Sequence, residues 1–546
     1  MEPVFDMLGD RALLVTLSRD VSREVNDQAL GLARAVERAA IPGVDEAQPA
    51  YSSFCVHFDP ARVRRSYIEA FVRRIMEDGG TLAEFEGAVP RLVEIPVAYG
   101  GEEGPDLEWS ARHLGISPEE LVRRHTARAY RVFMVGFTPG FPYLGGMDET
   151  IALPRLPEPR SRVAAGSVGI GGNQTGIYPW ETPGGWRLLG RTGVELFSPS
   201  HDDPSLLHPG DKVRFVAGDR GAGGGGRPGA STREGGPGAA APSQIGVKQG
   251  VPSVMVEHPG FFTIVVDEGR FGYRKIGVPV SGAADLRSYH LANLLCGNAA
   301  GGAALEITLL GGKFGALTDL TVAVTGAPAP VRVDGVDSPM NSPLFVPRGT
   351  LLEVGSLQAG CRSYLAVAGG IEVPLVLRSR STYPRGKFGG YQGRSLRPGD
   401  TLSSGPAPEH AFIVQHQAES AGSRDSTPGP TDPWNNRGTV LRVLPGPEAE
   451  PSLLTALCSD SYTVNPESDR MGLRFAGPDV PAGKGDILSS PVVPGTVQVP
   501  SDGKPLLLLC DGQTTGGYKR VAVVAWEDLP LAGQLRPGSR VVFRLS

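Results

Sequence analysis

Five stretches of this chain gather side chains that can bind or polarise a small polar molecule. His125 sits in RRHTARAYRVFMVGF, where a neutral imidazole could take or return a proton near neutral pH. A histidine at a helix end serves equally well as a structural hydrogen-bonder. GFTPGFPYLGG (136–146) follows, with Phe137, Phe141 and Tyr143 forming either a buried aromatic turn or a substrate-lining wall. RSRVAAGSVGIGGNQTGIYPWETPGGWRLLGRT (160–192) offers Gln174 and Thr175 as a donor/acceptor pair, Tyr178 as a phenol and Arg191 as a planar fork. Those groups suit an amide, a carboxylate or a phosphate. DEGRFGYRKIGVPVSGAAD (267–285) collects Arg270, Tyr273, Arg274, Lys275 and Asp285 around bends and a helix start, where an anion could be stabilised. DGQTTGGYKR (511–520) combines Asp511, Gln513, Thr514, Tyr518 and Lys519 after a hydrophobic strand. Each stretch also has a bland reading as a glycine-rich turn with structural side-chain bonds. The same holds for Glu306, a strand-end ion pair by default, and for Arg380, Arg385 and Lys387 in 379–394, a solvated loop or a lid.

Several chemistries are excluded by what is missing. The 136–146 loop lacks the Lys and Ser/Thr of a phosphate cradle, and HExxH, GxSxG, EF-hand and Rossmann patterns are absent. The five cysteines are scattered, odd in number and never in a CxxC pair, against a disulfide scaffold or cysteine-rich zinc site. A net charge of -5 gives no general affinity for nucleic acid. No secretory signal is visible, and apolar runs such as LLLLC (506–510) are too short to span a bilayer. A cytoplasmic protein with no membrane partner is the expectation.

The elements that must position these groups follow from pattern. At 546 residues, the chain exceeds one ordinary core, so several domains are expected. Residues 1–88 alternate strand and helix, as in a small α+β, split-βαβ domain. ALLVTL (12–17) and SFCVHF (53–58) read as strands, with helical periods after each. Residues 89–217 open on strand 92–99 and a helix begun by Ser117-Pro118-Glu119-Glu120, a capping box. Short strands then run to Phe215 as in a β-barrel. Residues 218–244, almost without bulky apolar side chains, read as a flexible linker. The second half repeats the texture: a first β-rich domain at 245–415, a loop or short linker at 416–437, and a second β-rich domain at 438–546. An internal echo supports related barrels. PGDKVRF (209–215) matches PGSRVVF (537–543), GSVGI (166–170) matches GTVQV (495–499), and QTGIY (174–178) resembles QTTGGY (513–518).

The long motifs carry a resemblance. HTARAYRVFMVGFTPGFPYLGGMD (125–148), the PR at 154–155, 162–192 and LLHPGDKVRF (206–215) resemble the B subunit of bacterial 5-oxoprolinase, formerly called allophanate hydrolase subunit 1. DEGRFGYRKIGVPVSGAAD, ANLLCGN (292–298), LEITLLGG (305–312), CRSYLAVAGGI (361–371), SDRMGLRFAG (468–477) and 493–520 resemble the C subunit of the same enzyme. Glu268 is inserted where that pattern usually has a tighter turn.

The resemblance implies a multidomain α+β and mainly β protein, with a small N-terminal domain and cyclophilin-like β-barrels. It implies a fusion whose halves associate, with tethering raising their effective concentration. It also implies a separate A subunit of 5-oxoprolinase as partner, a substrate 5-oxo-L-proline opened to L-glutamate, and ATP with Mg2+ in the complete complex. No covalent cofactor is implied in this chain, and a homo-oligomer is compatible. On this basis His125, Asp285 and Lys275 are the catalytic candidates. Gln174, Thr175, Tyr178, Arg191, Arg270, Gln513, Tyr518 and Lys519 are the substrate- or ATP-binding candidates. Both halves are also similar to the carboxyltransferase region of urea carboxylase, although no Met-Lys-Met biotinylation site is present. A histidine-kinase inhibitor module is the third reading.

Overall fold

The computed structural model describes residues 2–78, 90–219, 250–408, 438–483 and 487–546. Apart from Gly218 and Asp219, the two tracts read as linkers, 218–244 and 416–437, lie outside the described residues.

The first unit runs strand Val4–Met7, strand Ala12–Thr16, helix Arg23–Arg38, strand Val44–Pro49, strand Ser53–Phe58 and helix Arg65–Glu77. Its strands form one antiparallel sheet in the order first, second, fourth, third. Both sheet faces are covered, which explains the near-continuous apolar run in the second strand. Leu13, Val15, Phe54 and Val56 face the helices. Ala12, Leu14 and Cys55 face the opposite way, onto Val493 and Val523 of the far C-terminal region. The strand Val44–Pro49 was invisible in the sequence because VDEAQP carries no apolar alternation.

Two closed barrels follow, one in each half. The first is built from strands Leu92–Tyr99, Ala129–Val135, Pro142–Gly145, Ser167–Gly171, Gln174–Ile177, Arg187–Arg191 and Lys212–Ala217. The second uses Thr439–Pro445, Ser461–Val464, Gly472–Ala476, Thr496–Val499, Leu506–Leu508, Lys519–Val524 and Arg540–Leu545. Strand for strand, the order around the two barrels is the same. In each, the last strand closes the barrel by pairing parallel with the first. Each also carries a two-stranded ribbon, Arg160–Val163 with Thr182–Gly184 and Ser490–Pro491 with Thr515–Gly516. The expected capping box forms in part, Glu120 N donating to Ser117 Oγ at 3.2 Å.

This topology corrects one of the sequence echoes. PGDKVRF with PGSRVVF, and GSVGI with GTVQV, do occupy matching strands. QTGIY, however, is the barrel strand Gln174–Ile177, whose counterpart is Leu506–Leu508. QTTGGY lies on the ribbon, and its counterpart is ETPGGW (181–186). QTGIY and QTTGGY share a turn-rich composition but occupy different places in the strand order.

Between the barrels in sequence, residues 251–404 form a seven-stranded and a five-stranded sheet around a shared core. Helix Leu286–Leu295 packs Tyr289 and Ala292 against Ile264, Val266 and Tyr364. Among the described residues, no helix is long and apolar enough to cross a membrane.

The halves interlock. Ile276 bridges in parallel to Val135, and its carbonyl accepts from Gly140 N at 2.9 Å. Glu46 and Arg274 form a buried ion pair at 2.7 Å, with Arg274 N also donating to Glu46 at 2.9 Å. Between the second barrel and the 251–404 unit, Arg470 donates to Asp511 (2.8 Å), to Gly282 O (2.7 Å) and to Glu306. Glu306 is fully buried, and it also accepts from Tyr364 Oη at 2.8 Å and Ala284 N at 2.9 Å. Burial works to raise the Glu306 carboxyl, but Arg470 and Arg362 overcome it and hold the group below its usual range.

Candidate functional site

A cleft of about 410 Å³ opens between the two barrels, lined by Arg155, Gly171, Gly172, Asn173, Gln174, Ile487, Leu488 and Ser489. Its first wall is the hairpin joining Ser167–Gly171 to Gln174–Ile177. Gly172 takes φ +66° in that two-residue loop, a conformation that glycine adopts without strain. Gly172 also exchanges two backbone hydrogen bonds with Leu153, which fixes the segment bearing Arg155 along the hairpin. The second wall is held from behind, Ile487 N donating to Gly517 O at 2.7 Å. The two walls are topological equivalents in part: residues 154–159 and 487–489 each lead into the ribbon of their own barrel.

Beneath the cleft lies an aromatic cluster of Tyr51, Phe133, Phe141, Tyr143, Tyr178 and Trp186, with Phe137 packed on its edge. The 136–146 loop is therefore a buried aromatic turn that floors the cleft. Tyr143 shares a 3.3 Å hydrogen bond with Thr515 Oγ1 of the second barrel. Tyr51 comes from the small N-terminal unit. Burial keeps all three phenols protonated: it raises Tyr51 well above the usual value, raises Tyr143, and pushes Tyr178 up to about 12. The Arg155 charge works the other way on each of them and is outweighed. Among the described residues, the lining thus holds one guanidinium, two amides and a hydroxyl, and no carboxylate. That set can pair with an anionic group and with an amide.

The sequence candidates divide sharply against this geometry. Gln174 lines the cleft. Thr175, its neighbour, points into the first barrel. Gln513 lies behind the second wall, its Nε2 3.4 Å from Gln498 Oε1, on the loop that delivers Thr515 to Tyr143. Tyr178 belongs to the aromatic floor, and its ring packs at 5.4 Å from Phe141.

The rest serve elsewhere. His125 is fully buried in the first barrel, stacked on Phe215 at 4.6 Å. Thr175 Oγ1 donates to Gly169 O at 3.0 Å, so it accepts from His125 Nε2 at 2.9 Å. Nδ1 is then left to accept from Tyr99 Oη at 2.7 Å. Both ring nitrogens are satisfied, and burial lowers the imidazole to about 3. This removes His125 from proton relay in the cleft and makes it a core histidine. Asp285 caps helix Leu286–Leu295, accepting from Ser288 N at 3.1 Å, and accepts from Gln534 Nε2 at 2.7 Å across a domain boundary. Lys275 pairs with Glu37 at 2.6 Å, tying the two halves together. Arg270 is buried over the Phe388 ring at 5.0 Å and bonds Val376 O at 3.3 Å. Arg191 braces the Ala165 carbonyl at 2.7 Å. Lys519 lies 3.7 Å from Glu450, and Tyr518 is 37 % exposed. The 379–394 segment is packed down, with Ser381, Thr382, Tyr383 and Phe388 buried, so it does not act as a free lid.

Arg155 entered the sequence reading only within the PR at 154–155 that carries the resemblance, without a role, and Asn173, Ser489, Thr515 and Tyr51 carried no signal of their own. Arg155 and Ser489 sit in irregular segments without a periodic pattern, and the facing of the two barrels brings them together.

Two equivalent barrels sharing one cleft define the class, and comparison with known families agrees. The chain belongs to the carboxyltransferase-domain family: the model for carboxyltransferase subdomains C and D matches residues 3–207, and that for subdomains A and B matches 276–545. The first half is 44 % identical over 218 residues to the B subunit of 5-oxoprolinase from Bacillus subtilis, covering 39 % of this chain and 91 % of that protein. Over 288 residues the chain is 36 % identical to the C subunit of 5-oxoprolinase from Escherichia coli, covering 52 % and 88 %. Urea amidolyase of Saccharomyces cerevisiae is 33 % identical over 307 residues, but only 16 % of it is covered. Among solved structures, the crystal structure of TTHA0988 superposes with a TM-score of 0.81 at 37 % identity, covering 98 % of this chain and 99 % of that one. The similarity thus includes a chain in which both halves are already joined.

Proposed function

We propose that this chain supplies the B and C components of an ATP-dependent 5-oxoprolinase, which converts 5-oxo-L-proline to L-glutamate together with a separate A component. The observation that carries the reading is the cleft itself, formed jointly by a B-like and a C-like barrel and lined by a guanidinium beside two neutral amides and a hydroxyl. 5-Oxo-L-proline presents the complement, a carboxylate and a ring amide on one small frame. Arg155 would hold the carboxylate in a charge-assisted contact, and Gln174 would align the lactam.

The chemistry is phosphoryl transfer followed by hydrolysis. The lactam oxygen attacks the γ-phosphorus of ATP, the bond to ADP breaks, and the ring carbon becomes a better electrophile. Water adds at that carbon, and the C–N bond breaks with its electrons and a proton going to nitrogen. A second water releases phosphate, leaving glutamate. Mg2+ is expected with ATP. Among the described residues, no three His, Cys, Asp or Glu side chains converge, and the cleft carries no carboxylate. The described residues do not fit a resident magnesium ion, and no step here passes through one. A cytoplasmic location belongs to the same reading.

The second reading, a carboxyltransferase acting on urea or a related amide, is favoured by the family description and by the urea amidolyase match. A product assay separates the two. One mixture holds the chain, the A component, ATP and 5-oxo-L-proline; the other holds the chain, biotin carboxylase, biotinyl carrier, bicarbonate, ATP and urea. Glutamate in the first and no carboxyl transfer in the second is the expected result. Strict dependence on carboxybiotin with no glutamate overturns it.

A further inference from the structure

Tyr51 has no catalytic motif around it and comes from a unit outside both barrels, yet its side chain ends under the cleft. Asn26 places it there. The Asn26 side-chain amide donates to Ala50 O at 2.9 Å, to Tyr51 O at 3.0 Å and to Phe133 O at 3.2 Å, pinning the 50–51 turn against a strand of the first barrel. The Tyr51 ring then packs at 5.4 Å from Phe133 and edge-on at 6.0 Å from Tyr143.

The hydroxyl is left unsatisfied. Tyr51 is 2 % exposed, and its Oη has no well-formed hydrogen bond, although the Gln174 amide lies beside it and Arg155 is near enough to act on it electrostatically. Thr514 Oγ1, from the opposite half, is likewise buried without a hydrogen bond. Buried hydroxyls in native proteins are nearly always paired, and leaving one unpaired destabilises the fold. Packing does not need this one, because phenylalanine would fill the same aromatic niche. A protonated phenol beside a polar cleft, with donor capacity to spare, is what an incoming carbonyl would complete.

We propose that Tyr51 is a substrate-binding residue contributed by the small N-terminal unit: when the Gln174 side chain rotates, the Tyr51 hydroxyl donates to the ring carbonyl of 5-oxo-L-proline while Arg155 holds the carboxylate. This rests on the 5-oxoprolinase reading and assigns the N-terminal unit a part in reading the lactam. It also explains why that unit is fastened to both barrels, through Asn26 on one side and Gln48 on the other.

The test is Tyr51→Phe in the full chain, assayed with the A component, ATP and 5-oxo-L-proline. One neutral hydrogen bond corresponds to a KM rise of roughly three- to tenfold. The variant should show that rise with kcat nearly unchanged and a melting temperature equal to or above the parent's. Competitive inhibition by L-proline, which keeps the ring and carboxylate but lacks the ring carbonyl, should not change. An unaltered KM in a normally folded variant, or a loss of affinity shared equally by L-proline, overturns the assignment. Absence of turnover in the parent chain would instead overturn the 5-oxoprolinase reading beneath it.

Discussion

Gln48 donates its side-chain amide to the carbonyl of Thr514 at 2.9 Å, although 466 residues separate them. The other end of the same amide, Gln48 Oε1, sits 3.2 Å from His57 Nε2. Burial keeps His57 well below its usual pKa, so the ring is neutral, and Nε2–H is the donor that this oxygen can accept. The small N-terminal unit thus grips the loop that carries Thr515 to the cleft floor, and the first half organises a wall supplied by the second.

That interlock predicts that the peptide link between the halves is dispensable. Residues 1–219 and 245–546 expressed as separate chains should elute together in size-exclusion chromatography. Arg274→Ala should weaken the pair by about 3–5 kcal/mol, because Glu46 would remain buried without its cation. Halves that elute separately would count against the interface.

His125→Ala should act on stability rather than on chemistry. It removes a stacked ring and leaves Tyr99 and Thr175 without their partner, at a cost of about 3 kcal/mol. Turnover per folded molecule should stay near normal, and a large kcat loss at unchanged stability would return His125 to the reaction. The pH dependence follows from the folded-state value of about 3. Below roughly pH 6.5 the unfolded chain takes up a proton that the folded chain refuses, so stability falls from there toward pH 3.

The Glu306–Arg470–Asp511 network predicts a second acid-labile contribution. Glu306 is held below its usual range when folded, so its stabilisation is full above the unfolded carboxyl pKa and is lost as the pH falls through the folded value. Arg470→Met should cost about 3–5 kcal/mol in denaturant titrations at neutral pH. Its deficit should shrink as Glu306 is protonated. An equal deficit at every pH would mean that the charge pairing is not what is lost.

Barrel texture was legible in the sequence because period-2 strands and glycine turns mark it locally, and the last strands announced themselves through PGDKVRF and PGSRVVF. The site was legible at Gln174, where a tight hairpin and a polar side chain coincide, and in its floor, through the aromatic residues Phe141, Tyr143 and Tyr178. His125, Asp285, Lys275 and Arg270 are chemically capable residues, and sequence cannot show that a stack, a helix cap, an ion pair and a buried ring contact already occupy them. Arg155 and Tyr51 lack a chemical motif of their own, and their proposed roles rest on contacts between units far apart in the chain.

Arg155 should govern affinity for the carboxylate. Arg155→Met should raise KM for 5-oxo-L-proline by about 10- to 100-fold, the range of a lost charge-assisted contact. Arg155→Lys should recover part of the loss, since it restores charge without the planar fork. Equal KM values in all three proteins would place the carboxylate elsewhere.

The central claim, that this chain and the A component together open a lactam at the expense of ATP, is tested most directly by product stoichiometry. The purified chain, the A component, ATP and 5-oxo-L-proline are combined without biotin or carrier protein, and glutamate and ADP are measured on the same samples. Equimolar glutamate and ADP, both lost when either protein is omitted, is the predicted result. ADP without glutamate, or no turnover until a biotinylated carrier and bicarbonate are added, would contradict it.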